Sequence, residues 1–162
     1  VVPVIMSESR RDIFIDSLML FFTGLSRIAS EVARKTIANL EARSEQVSQM
    51  VSLVSQAEAI LINNKMSLND IGHLLHDSWM LKRELTDSLS NERVDSIYKA
   101  GRDAGALGGK LLGAGGGGFM LFFVKPEQQS QVRQALSHLL YVPAHFDHSG
   151  SQIIYHSLED EH

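Results

Sequence analysis

The sequence predicts an α+β domain, with a largely antiparallel sheet and helices packed on one side of it. Three observations lead to that class. Apolar runs of strand length stand at both ends of the chain, at Leu18–Phe22 and again at 119–124. Between them, apolar residues recur at helical spacing in successive stretches. Near the end, two short apolar segments bracket Asp147-His148-Ser149-Gly150-Ser151, which is the pattern of a hairpin.

The elements follow in order. Leu18–Phe22 reads as a buried strand ended by Thr23-Gly24. Ser26 is placed to cap a helix over 27–42, with Ile28, Val32, Ala33, Ile37 and Leu40 on one face. Ser44 opens a second helix that carries Val47, Met50, Val51, Val54, Ala57 and Leu61 toward the core, and Asn63-Asn64 ends it. Ser67-Leu68-Asn69-Asp70 is similar to a capping box, with Asp in place of Glu, and starts a third helix running to about Leu89. Asn91 caps a fourth, whose Val94, Ile97, Tyr98 and Gly101 share a face. The pattern then switches to strands over 107–112 and 119–124. Pro126 stands where the first turn of a helix tolerates it, and Val132, Ala135, Leu136 and Leu139 repeat at helical spacing. The closing hairpin is expected from 141–146 and 152–156, and 159–162 as a frayed tail.

Composition bounds the function. The chain has 162 residues, 44% of them hydrophobic, enough for one core. A net charge of -4 without a basic stripe argues against a nucleic-acid partner. Having no cysteine, the sequence excludes a disulfide scaffold and a thiolate metal site. Its longest apolar stretches are too short to span a bilayer, and no signal-peptide pattern opens it, so no membrane partner and a cytoplasmic location are expected. His145, Asp147 and His148 cluster near the hairpin, and His73 and His76 lie on the polar side of the third helix. Neither group has the spacing of a metal-ligand set.

The chemical signal is glycine. Gly113-Ala114-Gly115-Gly116-Gly117-Gly118 runs directly into Phe119-Met120-Leu121-Phe122-Phe123-Val124. Consecutive glycines let several backbone N–H groups converge on one anion, typically a phosphate. The spacing Gly113-x-Gly115-x-x-Gly118 matches a dinucleotide fingerprint formally, but here the loop opens a strand rather than a helix. A Walker loop fails too: Gly108-Gly109-Lys110 is followed by Leu111 instead of a hydroxyl residue.

The stretch from Asp103 to Phe119 resembles the third motif of the GHMP kinases, small-molecule kinases acting on sugars, homoserine, mevalonate and related alcohols. Two further stretches look like the heptose 7-phosphate kinase branch: Leu20-Phe21-Phe22-Thr23-Gly24-Leu25-Ser26-Arg27 and Leu75-His76-Asp77-Ser78-Trp79-Met80-Leu81-Lys82-Arg83. The likeness extends from about Leu18 to Tyr155. It implies a ferredoxin-like fold with an inserted helical pair. It also implies a C-terminal kinase domain over 18–158, preceded at 1–17 by a linker or the end of another domain. An N-terminal domain of the same protein would supply the Gly-Leu-Gly-Ser-Ser loop, the catalytic aspartate and the magnesium ligands, none of which this sequence contains. ATP and Mg, bound mainly by that domain, are the implied cofactors, and a sugar or sugar phosphate is the implied substrate.

Lys82 falls inside the apolar stripe of the third helix, formed by Ile71, Leu74, Leu75, Ser78, Leu81 and Leu85. A lysine there either snorkels to the edge or meets an anion. The functional reading makes Lys82 a point charge for a substrate phosphate, with Ser78 one turn earlier adding a hydroxyl. Lys110, just before the glycine loop, is the second candidate cation. Arg27, near a helix start where its charge opposes the dipole, is the third. Asp103 is a candidate for orienting a substrate hydroxyl or bonding a turn N–H. Trp79 flanks the stripe as a core anchor or a sugar-stacking surface. Two rival readings stand beside it: a non-catalytic ferredoxin-like module that binds or senses a small anion, and a structural interaction domain that dimerises through its sheet or helical face.

Overall fold

The structure is a computed structural model that describes residues 3–25, 29–86, 89–113 and 117–146. Element order is α1 (Glu8–Asp16), β1 (Leu18–Phe22), α2 (Ala29–Asn39), α3 (Ser44–Ile62), α4 (Asn69–Glu84), α5 (Glu92–Asp103), β2 (Gly108–Leu111), β3 (Phe119–Phe123), α6 (Gln129–Ala135) and β4 (Leu140–Val142). A short 3₁₀ turn at Pro126–Gln128 leads into α6, with proline in its first turn. The second hairpin strand at 152–156 and the tail at 159–162 lie outside the described residues.

The strands form one antiparallel sheet in the order β2-β3-β1-β4. With α5 before β2 and α6 before β4, this is the split βαβ arrangement of a ferredoxin-like fold. The α+β class and the antiparallel sheet are as the sequence predicts. Helices α2, α3 and α4 are the insertion between β1 and α5.

Strand alternation gives the sheet two unlike faces. One presents Met19, Phe21, Leu111, Met120 and Phe122, all buried against Val94, Ile97 and Tyr98 of α5 and Val132 and Leu136 around α6. Asn91 caps α5 as predicted, its Oδ1 accepting from the Val94 N–H at 3.0 Å. The opposite face presents Leu18, Leu20 and Phe22 from β1 beside Phe119, Leu121 and Phe123 from β3. Only its Phe123 end is sealed, by Ile60, Leu68 and Ile71 of the helical insertion.

Helix α4 runs along β2, and a close approach fixes it there. A Cβ on Gly108 would collide with the Gly72 carbonyl, so glycine at 108 lets helix backbone rest on strand backbone. Helix α3 packs mainly on α4 and joins the sheet's core near its C-terminal end, where Ile60 clusters with Phe123. It therefore buries only one stripe, and Val51 and Val54 are 63% and 67% exposed, contrary to the core positions predicted for them. Ile37 of α2 is likewise exposed. Helix α4 ends at Glu84, earlier than the predicted Leu89.

Helix α1 has no counterpart in the sequence reading. Its Arg10 is buried and donates to the carbonyls of Ile60 (2.6 Å) and Leu61 (3.0 Å) at the C-terminal end of α3 and of Met66 (2.9 Å) in the turn beyond it. A cation satisfying the last carbonyls of a helix is favoured by both hydrogen bonding and the helix dipole. Among the described residues, no helix is long and apolar enough to cross a membrane.

Candidate functional site

The β2–β3 connection and the segment after β1 meet at one end of the sheet. Gly113 and Gly118 both have positive φ, 85° and 106°, which turns the chain out of β2 and back into β3. The base of the loop is tied down on both sides. Leu112 N–H donates to the Phe119 carbonyl at 2.8 Å. Across β1, Thr23 donates twice to the Gly118 carbonyl, from its backbone N–H (2.9 Å) and from Oγ1 (2.8 Å). Gly118 N–H in turn donates to the Leu25 carbonyl at 2.9 Å. Thr23 is fully buried at this junction.

These bonds correct the expected role of Gly118. Its N–H is committed to Leu25, so Gly118 anchors the loop rather than contributing to an anion nest. Ala114, Gly115 and Gly116 lie outside the described residues, as does Arg27.

Lys82 reaches this loop from the last turn of α4. Its Nζ donates to the Gly113 carbonyl at 3.0 Å. Burial, and secondarily the Lys110 ammonium, hold the Lys82 pKa below the ordinary lysine value. The two lysine charges lie close enough to repel, and neither joins a described ion pair, so an anion between them would relieve that repulsion. Lys110 sits on the half-covered face of the sheet, paired in register with Leu121.

Other candidates are placed elsewhere. Asp103 forms an exposed ion pair with Lys99 at 2.6 Å. It precedes β2, whereas the glycine loop follows it, so the strand separates them by roughly 13 Å at about 3.3 Å per residue. Ser78 does not join Lys82 at the loop; it lines an apolar cleft of about 160 Å³ between α3 and α4, with Met50, Leu53 and Ala57. Trp79 is fully buried, which removes it as a sugar-stacking surface. Arg83 pairs with Asp95 at 3.0 Å and lies 6.0 Å from the Trp79 ring centre.

His76 departs from its predicted polar exposure. Its ring stacks on Tyr98, with Nδ1 and the hydroxyl 2.7 Å apart. Burial, followed by the nearby Arg102, lowers the His76 pKa from its ordinary value, which favours the neutral imidazole in its hydrogen bond with the Tyr98 hydroxyl. Burial raises the Tyr98 pKa, which keeps that hydroxyl protonated.

Among the described residues, no group of three or more histidines or carboxylates could hold a metal ion.

Residues 56–142 match the family described as GHMP kinases C terminal. A D-glycero-alpha-D-manno-heptose 7-phosphate kinase of Campylobacter jejuni is 33% identical over 121 residues, covering 73% of this chain and 35% of that protein. A mevalonate kinase of Thermococcus onnurineus is 30% identical over 129 residues, covering 74% of this chain and 37% of that protein. The chain thus spans about a third of the length of these relatives. Among solved structures, L. major mevalonate kinase in complex with R-mevalonate superposes with a TM-score of 0.64 at 25% identity, over 75% of this chain and 37% of that one. The matched segment holds α4 with Lys82, the glycine loop and three of the four strands of the sheet, so this chain belongs to the GHMP kinase C-terminal domain family.

Proposed function

We propose that this chain is the C-terminal half of an ATP-dependent kinase that phosphorylates a hydroxyl of a sugar phosphate, a heptose 7-phosphate in the first instance. The observation that carries this reading is the approach of Lys82 to the Gly113 carbonyl with Lys110 on the entering strand. An uncharged sugar gives such a pair nothing to neutralise, whereas a phosphate dianion does.

Phosphoryl transfer depends on positioning and charge neutralisation more than on covalent help from the protein. In this scheme Lys82 and Lys110 hold the phosphate already on the substrate. Arg27 is assigned the same task. The loop from Gly113 to Gly118, anchored through Thr23 and Leu25, braces the reacting end of the site and offers backbone N–H groups within it. The catalytic base and the ligands for magnesium fall to an N-terminal domain of the same protein, which would also bind most of the ATP. The described residues supply no step through the metal. Asp103, exposed at the end of α5 and paired with Lys99, has no part in this scheme.

The test is turnover by the complete protein, with ATP and a panel of heptose, hexose, their phosphates and mevalonate. Phosphorylation of a sugar phosphate ahead of its unphosphorylated parent is expected. Preference for mevalonate would move the substrate to the other group of relatives. Binding of a small anion without ATP turnover would leave the non-catalytic module.

A further inference from the structure

We propose that Phe22 and Phe119 form a stacking platform for the ring of the phosphorylated sugar, beside the lysines that hold its phosphate. The inference rests on the sugar-phosphate reading above and adds where the ring lies.

The two residues are partners across β1 and β3, with ring centroids 5.2 Å apart and planes inclined by 49°. They occupy the half-covered face at the glycine-loop end and are 38% and 36% exposed, whereas Phe21 and Phe122 on the other face are buried. Next along the same face is the row Leu20, Leu121 and Lys110. Same-face residues two apart on a strand are separated by about 7 Å, the reach of a sugar ring carrying a phosphate on its exocyclic carbon.

The chemistry of the surface selects its occupant. A cyclic sugar offers an apolar patch of C–H groups on one face and hydroxyls around its rim. Aromatic rings complement the former without competing for the latter. The core of a protein–protein contact is depleted in charge, so a platform next to Lys110 and Lys82 suits a ligand that is apolar on one face and anionic at one end. With Trp79 sealed in the core, Phe22 and Phe119 are an exposed aromatic pair at the glycine-loop end of this face, whereas Phe14 and Phe146 stack at its other end, by Phe123 and away from Lys110.

The experiment measures steady-state kinetics of the complete enzyme carrying Phe119→Ala, Phe119→Leu and Phe119→Tyr, with inorganic phosphate as a competing probe. Phe119→Ala should raise KM for the phosphorylated sugar about tenfold, the size of one aromatic contact, and leave KM for ATP within about twofold. Inhibition by inorganic phosphate, which has no ring, should be unchanged. Phe119→Tyr should restore wild-type KM. Phe119→Leu, which keeps apolar bulk without an aromatic face, should stay impaired even if Phe119→Ala folds poorly. Full recovery by leucine would overturn the platform, as would equal rises in KM for ATP and sugar phosphate with a fall in Tm, the sign of domain packing instead. A wild-type enzyme inactive on every phosphorylated sugar would overturn the underlying reading and the platform with it. Activity in the wild type with no effect of any Phe119 variant would overturn the platform alone.

Discussion

The two faces of the sheet use the same kinds of residue for different ends. Phe122 and Phe119 lie three positions apart on β3, yet one is sealed beneath α5 while the other stands partly open beside the glycine loop. The sealed face is apolar throughout and stabilises the fold. The half-covered face mixes aromatics with Lys110 and receives Lys82 from α4. The contrast teaches that stability and recognition are divided by strand alternation, so neighbouring residues can be mutated to opposite effect.

The largest expected effect is at the junction of helix and sheet. Gly108→Val drives a side chain into the Gly72 carbonyl, which cannot yield as a flexible side chain would. Because backbone rather than a side chain must move, destabilisation well beyond the roughly 1–3 kcal/mol usual for overpacking is expected, read as loss of cooperative melting or of soluble protein. Phe122→Ala comes next, at about 4 kcal/mol for a buried aromatic, against less than about 1 kcal/mol for Phe119→Ala in the same denaturant titration. Equal losses at the two positions would break the division between faces.

Thr23→Val is smaller and more local. It removes the Oγ1 bond to the Gly118 carbonyl but keeps the backbone bond, and about 1–2 kcal/mol is expected with faster hydrogen exchange at the loop base. The smallest effect is a pH slope. Because the folded-state pKa of His76 is below 6.5, the unfolded chain takes up its proton first as pH falls. Stability is therefore lost from about pH 6.5 downward, until pH passes the folded value, and His76→Gln should flatten the melting temperature across that window. An unchanged slope would mean His76 titrates alike in both states.

Much of the fold was legible because it was written in local pattern. The runs at Leu18–Phe22 and Phe119–Phe123 are continuous apolar strands, and α5 announces itself by the Asn91 cap and the spacing of Val94, Ile97, Tyr98 and Gly101. What failed was the degree of burial in the insertion. Helical spacing marks which residues of α3 share a face, but how much of that face is covered depends on α4, against which α3 mainly packs. Arg10 was invisible for a similar reason: its partners are carbonyls 50 and more residues away, and a charged residue in a polar stretch carries no apolar periodicity.

The candidate site divides the same way. Lys82 stood out because a cation interrupts an apolar stripe, a local anomaly that the structure resolves at the Gly113 carbonyl. The anchoring of Gly118 was hidden, since Thr23 lies 95 residues earlier. Asp103 drew notice by its closeness in sequence to the glycines. Four strand residues of β2 carry the chain away from it before the loop begins.

The most direct test of the account is Lys82→Met in the complete enzyme, with KM measured for a phosphorylated sugar and for ATP. Loss of a charge-assisted contact to the substrate phosphate should raise KM for the sugar phosphate by about tenfold or more while KM for ATP stays within about twofold. Equal changes in both constants, or none in either, would contradict the assignment of Lys82 to the substrate's phosphate.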